Sequence, residues 1–335
     1  VNGGDGDDSL TGNELDEIIS GADGNDTLTG DGGDDSITGG DGDDILFGGD
    51  NDDLTDETDG DGESDNDTLD GGSGDDSLVG EQGFDSLLGG SGDDTLDGGD
   101  DDDDLDGGEG NDSLVGGDGD DDLTGRQGDD TLEGGDGDDE LRAGEGDDSL
   151  SGGDGEDVLA GGPGSDTLDG GDDDDILEID LVAPLGGTSG IGADLLTGGA
   201  GSDTFRFFEG QGPGSEDNDQ SRPTEPGPDV ITDFNGSGET DPDDENDVID
   251  LEDFGFDDSG TFVFVSGESG PVTVETDLTA FDPTYDGSPI FAVQDGDDTQ
   301  LIIDLDEDGI FEQSDAVIIL ADFDADDLVD GDFLL

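Results

Sequence analysis

Three aspartates, Asp76, Asp85 and Asp94, stand nine residues apart in the stretch GGSGDDSLVGEQGFDSLLGGSGDDTLDGG (Gly71–Gly99), and Leu78, Leu87 and Leu96 each follow two positions behind. A carboxylate is a hard oxygen ligand, an acid or base for catalysis, or simply a solvated charge. The spacing separates these uses. Carboxylate catalysis needs one pair set apart from the rest at a defined separation, and nothing here marks one pair as special. A solvated acidic run would not keep aspartate and leucine in step. Identical carboxylates at a fixed interval instead build one small site many times over. Glycine-rich turns beside them leave carbonyl oxygens free, and those are good ligands for a hard cation.

The elements that must position these carboxylates follow from an internal repeat. A nine-residue unit of the form G-G-x-G-x-D-x-U-x, with U a large apolar residue, runs from Gly3 to Arg206. Units start at 3, 12, 21, 30, 39 and 48, resume at 62, continue every nine residues to 170, and end with starts at 189 and 198. Of these 21 units, 20 carry Asp at the sixth position, and the exception is Glu17. The unit at 48 is one residue short, and residues 57–61 and 179–188 interrupt the array. Glycine at positions 1, 2 and 4 is expected to supply positive φ angles and close backbone approach. The units at 12, 62, 98 and 170 carry Leu15, Asp65, Asp101 and Asp173 at position 4, so weaker or distorted sites are expected there.

This unit resembles the nonapeptide of RTX (hemolysin-type) calcium-binding repeats, a pattern associated with Ca²⁺-binding parallel β-helices. The resemblance implies an all-β fold, a parallel β-roll of the right-handed β-helix type. Each unit would give a six-residue turn and a three-residue strand, and two units would make one 18-residue coil. Leu78 and Leu96 would then point inward from one sheet and Leu87 from the other, with positions 7 and 9 facing out. In coils stacked about 4.8 Å apart, carboxylates such as Asp76 and Asp94 would repel by roughly 3.5 kcal/mol at an effective dielectric of 20. A divalent cation reverses the sign of that interaction, and Ca²⁺ suits a flexible all-oxygen site better than Mg²⁺. The candidate calcium ligands are Asp8, Asp26, Asp35, Asp44, Asp67, Asp76, Asp85, Asp94, Asp103, Asp112, Asp121, Asp130, Asp139, Asp148, Asp157, Asp166, Asp175, Asp194 and Asp203.

Composition sets the frame for this reading. The 335 residues hold 105 acids against four basic residues, all arginine, for a net charge of −101, and only 26% are hydrophobic. Such a chain would be disordered without an external source of stability. The charge repels nucleic acid and favours cations as partners. No stretch is long and apolar enough for a membrane span. There is no Cys, so no disulfide and no record of the redox compartment; there is also no His, Lys, Met or Trp. Without His, Cys or Lys, the common nucleophiles and bases are missing, and catalysis is not expected. The chain opens on Val1-Asn2, which reads as the tail of an earlier repeat. A piece of a longer protein is expected, with a fused N-terminal effector domain missing. The acidity exceeds what bound calcium would neutralise, which suggests a salt-rich habitat.

Three segments are expected: 1–206 as the calcium-binding β-roll, 207–228 as a Gly/Pro-rich acidic linker, and 229–335 as a C-terminal β cap with a secretion signal. The last shows strand patterns in VITDF (230–234), VIDL (248–251), TFVFV (261–265), IFAV (290–293), LIIDL (301–305) and AVIIL (316–320). It resembles the C-terminal module of serralysin-like proteins exported by type I systems. That resemblance implies that the terminus DGDFLL (330–335) is read by an ABC-type secretion channel. DLDEDGIFEQSD (304–315) sets Asp304, Asp306, Asp308 and Asp315 at positions 1, 3, 5 and 12 of an EF-hand-like loop with Gly309 at 6. Its flanks read as strands, so a calcium-binding hairpin loop is the expectation.

Together these readings describe a secreted, calcium-dependent module. It stays unfolded where calcium is scarce, folds on export, and supports a larger effector. The second reading is a calcium-dependent cell-surface adhesin, matrix or surface-layer component. An ice-binding face is disfavoured because position 9 is mixed, with Thr29, Phe47, Val79, Asp97, Glu133 and Arg142.

Overall fold

A computed structural model describes residues 1–13, 15–49, 66–180 and 194–208. Beyond them it describes the strands Asp229–Ile231, Val248–Asp250, Val263–Val265, Thr276–Asp277, Ile290–Asp295, Asp298–Ile303, Ile310–Phe311, Ala316–Leu320 and Phe333–Leu334. The chain divides into two compact units, Val1–Gly162 and Pro163–Leu335.

In Val1–Gly162 successive strands alternate between two sheets. Ser77–Gln82 lies in one, Ser86–Ser91 in the other, and Thr95–Asp100 returns to the first. All pairings in this unit are parallel and most are offset by 18 residues, as in Leu78↔Leu96↔Leu114 and Leu87↔Leu105↔Leu123. Two nonapeptides therefore make one coil. The protein is an all-β parallel β-solenoid of about nine turns, with no helix among the described residues.

The period-2 side-chain alternation of a strand explains the core. Position 7 (Thr95) is exposed, position 8 (Leu96) is fully buried, and position 9 (Asp97) is exposed. Each buried leucine stacks on the leucine one coil away, so the core is two facing files, one per sheet.

Most strands of the roll are longer than three residues, although Ser9–Thr11, Thr27–Thr29 and Val158–Ala160 keep that length. Thr95–Asp100 covers positions 7, 8 and 9 and then positions 1 to 3 of the next unit. Its pairing with Ser113–Asp118 runs through Thr95, Leu96, Asp97, Gly99 and Asp100 and omits Gly98. The chain bends at position 1 and rejoins the ladder.

The glycine positions are not equivalent. Positive φ occurs at position 2 (Gly72, 106°; Gly90, 114°) and at position 4 (Gly74, 132°; Gly92, 133°), but not at position 1, where Gly71 and Gly89 stand. The expectation of a positive φ at all three positions is corrected on this point. At position 4 of two units, Asp101 and Asp173 adopt φ values of 78° and 82°. The coil survives there: the Asp101 N–H donates to the Asp118 carbonyl at 2.7 Å, as the Gly92 N–H does to Glu109 at 2.8 Å.

Both interruptions fall inside units, not between them. The pairs Ile37↔Leu69 and Leu46↔Leu78 are offset by 32 residues, so one coil carries 14 extra. Gly48 and Gly49 open this unit, and Asp67 and Leu69 close it. The starts at 48 and 62 thus give one structural unit, and the array has one repeat fewer than the spacing suggests. Likewise Leu168↔Leu196 and Leu177↔Phe205 are offset by 28, with the extra ten residues entering between Asp180 and Asp194.

In Pro163–Leu335 the parallel stacking outlasts the nonapeptide. Leu196 pairs with Ile231, and Phe205 with Ile249; both isoleucines are fully buried. Ile231 then pairs in parallel with Leu320. Asp298–Ile303 lies antiparallel to both Ile290–Asp295 and Ala316–Leu320.

Candidate metal centre

Position 6 ends the turn and precedes the outward residue of the strand, so its side chain lies along the inner edge of the roll. The aspartates there form two files, one at each turn. One file holds Asp8, Asp26, Asp44, Asp76, Asp94, Asp112, Asp130 and Asp148. The other holds Asp35, Asp67, Asp85, Asp103, Asp121, Asp139 and Asp157. Asp8 is half-buried, and the others are between 1% and 4% exposed. In the second unit Asp166, Asp175, Asp194 and Asp203 are buried in the same way. Asp304, Asp306, Asp308 and Asp315 lie outside the described residues.

Each carboxylate uses its two oxygens differently. Oδ1 accepts from the backbone N–H of the aspartate one coil back: Asp76 N–H to Asp94 at 2.8 Å, Asp94 to Asp112 at 2.8 Å, Asp103 to Asp121 at 2.7 Å. Oδ2 of Asp26, Asp44, Asp76, Asp94, Asp103, Asp112, Asp121, Asp130 and Asp139 is buried with no hydrogen-bond partner. A buried charged oxygen without a partner costs heavily, so a file of them calls for a positive ligand.

Oδ2 lies against the bare Cα of the position-1 glycine. A β-carbon on Gly89 would stand 2.5 Å from Asp94 Oδ2 and 2.6 Å from the Gly107 carbonyl oxygen. One on Gly71 would stand 2.5 Å from Asp76 Oδ2 and 2.7 Å from the Gly89 carbonyl. The cradle therefore brings together a carboxylate oxygen of one unit and a carbonyl oxygen one coil on. Position 1 is glycine for room, because its φ is ordinary.

The electrostatics agree. Burial, with added repulsion from Asp94 and Asp44, pushes the Asp76 carboxyl up to about 7 against the donated backbone hydrogen bond, which lowers it. Asp103 is raised to about 8 by burial and then by Asp85 and Asp121, and Asp112 to about 7 by burial and its neighbours Asp130 and Asp94. Without a cation the files are over-crowded with negative charge.

The carboxylates stand in file, and among the described residues no three acid side chains converge as a metal-binding group. A strand spacing allows one such side chain per coil on each edge. The rest of a coordination shell falls to backbone oxygens. This all-oxygen donor set, part carboxylate and part carbonyl, fits Ca²⁺.

A second set of acids was not singled out by its spacing. At position 5 the direction of bonding reverses. The Asp93 N–H donates to Asp75 Oδ1, Asn111 to Asp93, and Asp129 to Asn111, each at 2.9 Å, so these exposed side chains accept from the coil ahead. On the other edge Asp120 donates to Asp102, Asp138 to Asp120 and Glu156 to Asp138, each at 3.0 Å. Consecutive acids thus reach opposite ways along the roll. The signal was a preference for Asp or Asn at position 5, hidden in a chain where aspartate is everywhere. Glu17, the exception at position 6, also sets its Oε2 against the position-1 glycine, Gly12, and that oxygen accepts from the Asn13 N–H at 2.9 Å.

The repeated cradle is matched by the family model for the RTX calcium-binding nonapeptide repeat, which covers residues 1–27, 20–54, 61–87, 79–114, 115–150, 151–178 and 188–206. That is more than half of the chain. The protein belongs to the RTX calcium-binding repeat family. No curated protein matches the chain. RTX nonapeptide repeats bind Ca²⁺, and this chain's buried aspartates recur along the solenoid in the family's rhythm. RTX solenoids of this kind are typically structural and generally occur in secreted proteins. No helix among the described residues is long and apolar enough to cross a membrane.

Proposed function

We propose that the chain is a secreted RTX module whose folding is driven by extracellular calcium, and that it supports type I export and stability of a larger effector protein. The observation that carries the reading is the file of buried carboxylate oxygens without hydrogen-bond partners, exemplified by Asp76, Asp94 and Asp112. The position-6 aspartates from Asp8 to Asp203 hold the ions through Oδ2, and position-1 carbonyls such as that of Gly107 complete the cradle. A second kind of calcium site lies at Asp304, Asp306, Asp308 and Asp315.

The physical logic is linkage. The two leucine files offer too little apolar surface to order 18 residues per coil, and the carboxylate files oppose stacking. An ion that binds only the stacked form adds its binding free energy to folding. Scarce cytosolic calcium leaves the chain extended and threadable; plentiful external calcium closes the roll after export. The residues from 229 onward act as a β cap, and Asp330–Leu335 is the segment read by an ABC-type exporter.

Circular dichroism during a calcium titration tests the reading. The metal-free chain should show coil, and calcium should produce a cooperative β signal that a chelator reverses. Magnesium at matched ionic strength should leave the coil spectrum unchanged; equal folding by magnesium would reduce the effect to charge screening. Deleting residues 330–335 should abolish export by a cell carrying a type I system while leaving calcium-driven folding of the purified chain intact.

A further inference from the structure

Within Val1–Gly162 one described unit departs from the cradle at position 1. The nonapeptide AGEGDDSLS (143–151) has Ala143 at position 1, where Gly71, Gly80, Gly89, Gly98, Gly107, Gly116, Gly125 and Gly134 stand in neighbouring units. Ala143 is fully buried. Its φ lies outside the left-handed region, so the backbone accepts a methyl group there. The pairing with the coil behind is kept, and on the coil ahead the ladder runs through Glu140↔Val158, Leu141↔Leu159 and Arg142↔Ala160 and stops there. Leu141 pairs with Leu123, and Gly144 with Arg126. The Asp130 N–H still donates to Asp148 Oδ1 at 2.7 Å.

What the methyl changes is the room beside the carboxylate. At Gly71 and Gly89 a β-carbon would stand 2.5 Å from Oδ2 and within 2.7 Å of the carbonyl on the next coil. At Gly134 it would meet Asp139 Oδ2 and stand 2.7 Å from the Gly152 carbonyl. In the unit of Ala143 that β-carbon exists. By the geometry of units such as those of Gly71, Gly89 and Gly134, it falls beside the Asp148 carboxylate, in the space those glycines leave open.

We infer that Ala143 closes the cation cradle of its own unit, so that the position-6 carboxylate of Asp148 holds no calcium ion and serves only as the hydrogen-bond acceptor for Asp130. The inference rests on the reading of the position-6 aspartates as calcium ligands. It interrupts the array of ions at the coil of Ala143. Position 1 then determines which units are loaded: glycine opens a cradle, and alanine shuts it while the Asp130–Asp148 hydrogen bond is kept.

The test is native mass spectrometry of the full-length, calcium-saturated chain, which counts bound ions one at a time, on the wild type and on D130N, D148N, A143G and A143G/D148N. Asparagine keeps the Oδ1 acceptor and removes the Oδ2 ligand. Loss of one ion in D130N, no loss in D148N, gain of one in A143G and reversal of that gain in A143G/D148N are the expected results. Loss of an ion in D148N, or no gain in A143G, overturns the inference while the aspartate reading stands. No loss in D130N defeats the aspartate reading, and the inference with it. Should D130N fail to fold, the A143G pair decides alone, since it restores the residue that most units already carry.

Discussion

The backbone N–H of Asp76 donates to Oδ1 of Asp94, 2.8 Å away and one coil further along the roll. The same contact that ties two coils together fixes the direction of the carboxylate, leaving Oδ2 beside the bare Cα of Gly89. Structure and ligation are thus divided between the two oxygens of one side chain, and substitutions can separate them.

Asp94→Asn keeps the acceptor for Asp76 and removes one negative charge from the file. In calcium-free buffer it should favour β structure, because Asp76 and Asp112 lose a like-charged neighbour. In calcium it should weaken the response, because a ligand is gone. Asp94→Ala removes the acceptor as well and leaves a buried N–H unpaired, a cost of about 1–3 kcal/mol. Urea denaturation of the calcium-loaded proteins should rank stability as wild type above D94N above D94A. The reverse order for D94N and D94A would show that the Asp76 contact carries no stability.

The position-6 carboxyls give the metal-free fold a pH dependence of definite sign. Burial and neighbouring charge raise Asp94 to about 6, Asp76 to about 7 and Asp103 to about 8, from an ordinary aspartate value near 3.8. The folded form therefore binds protons more tightly than the unfolded form, and stability falls as pH rises. The proton contribution is complete below the ordinary value and is lost as pH climbs through 6 to 8. In chelator, circular dichroism should show more β structure at pH 5.5 than at pH 8.5. With saturating calcium the ions hold these carboxylates charged in the folded state, and the difference should flatten. A metal-free chain that loses β structure on acidification would contradict the crowding of charge in the files.

Leu96 is fully buried and pairs with Leu78 and Leu114. Leu96→Ala should destabilise the calcium-loaded roll by about 2–5 kcal/mol, read as a lower urea midpoint. The same change at the half-exposed Val115 should cost far less. Equal effects would mean that the leucine files do not form the core.

Much of this architecture was legible in the residues. Asp94 and Leu96 repeat in step with their neighbours, and an inward leucine follows from that rhythm; the 18-residue coil came from the family resemblance, and the burial of the carboxylates from the structure. The roles of the glycines were not separable. Gly89 and Gly90 are adjacent and identical in sequence, yet Gly89 makes room for a carboxylate and Gly90 takes a φ of 114°. The coil joining Gly49 to Asp67 was also misread. The intervening residues are themselves rich in Gly and Asp, so the nonapeptide frame can be laid over them, whereas the pairing of Ile37 with Leu69 makes a single coil of the stretch. The ladder through Asp75, Asp93 and Asn111 went unnoticed because its regular spacing at position 5 does not stand out in a chain where aspartate is everywhere.

Asp101 supplies a final prediction, because it holds a glycine's place with a different backbone. The position-4 glycines Gly92, Gly110 and Gly119 have φ values of 133°, 136° and 151°, a region that residues with a β-carbon avoid. Asp101 has moved to 78°, inside the left-handed region that aspartate tolerates at a cost of roughly 1–2 kcal/mol or less. Its coil remains hydrogen-bonded to Asp118, so the strain is local. Asp101→Gly should raise the stability of the calcium-loaded chain by about 1 kcal/mol. Gly92→Asp should lower it by more than that, because its β-carbon would be driven into the Gly74 carbonyl unless the backbone made the same shift. Urea midpoints in saturating calcium decide the matter. If Asp101→Gly destabilises, the Asp101 side chain supports the turn through a contact that outweighs the backbone strain.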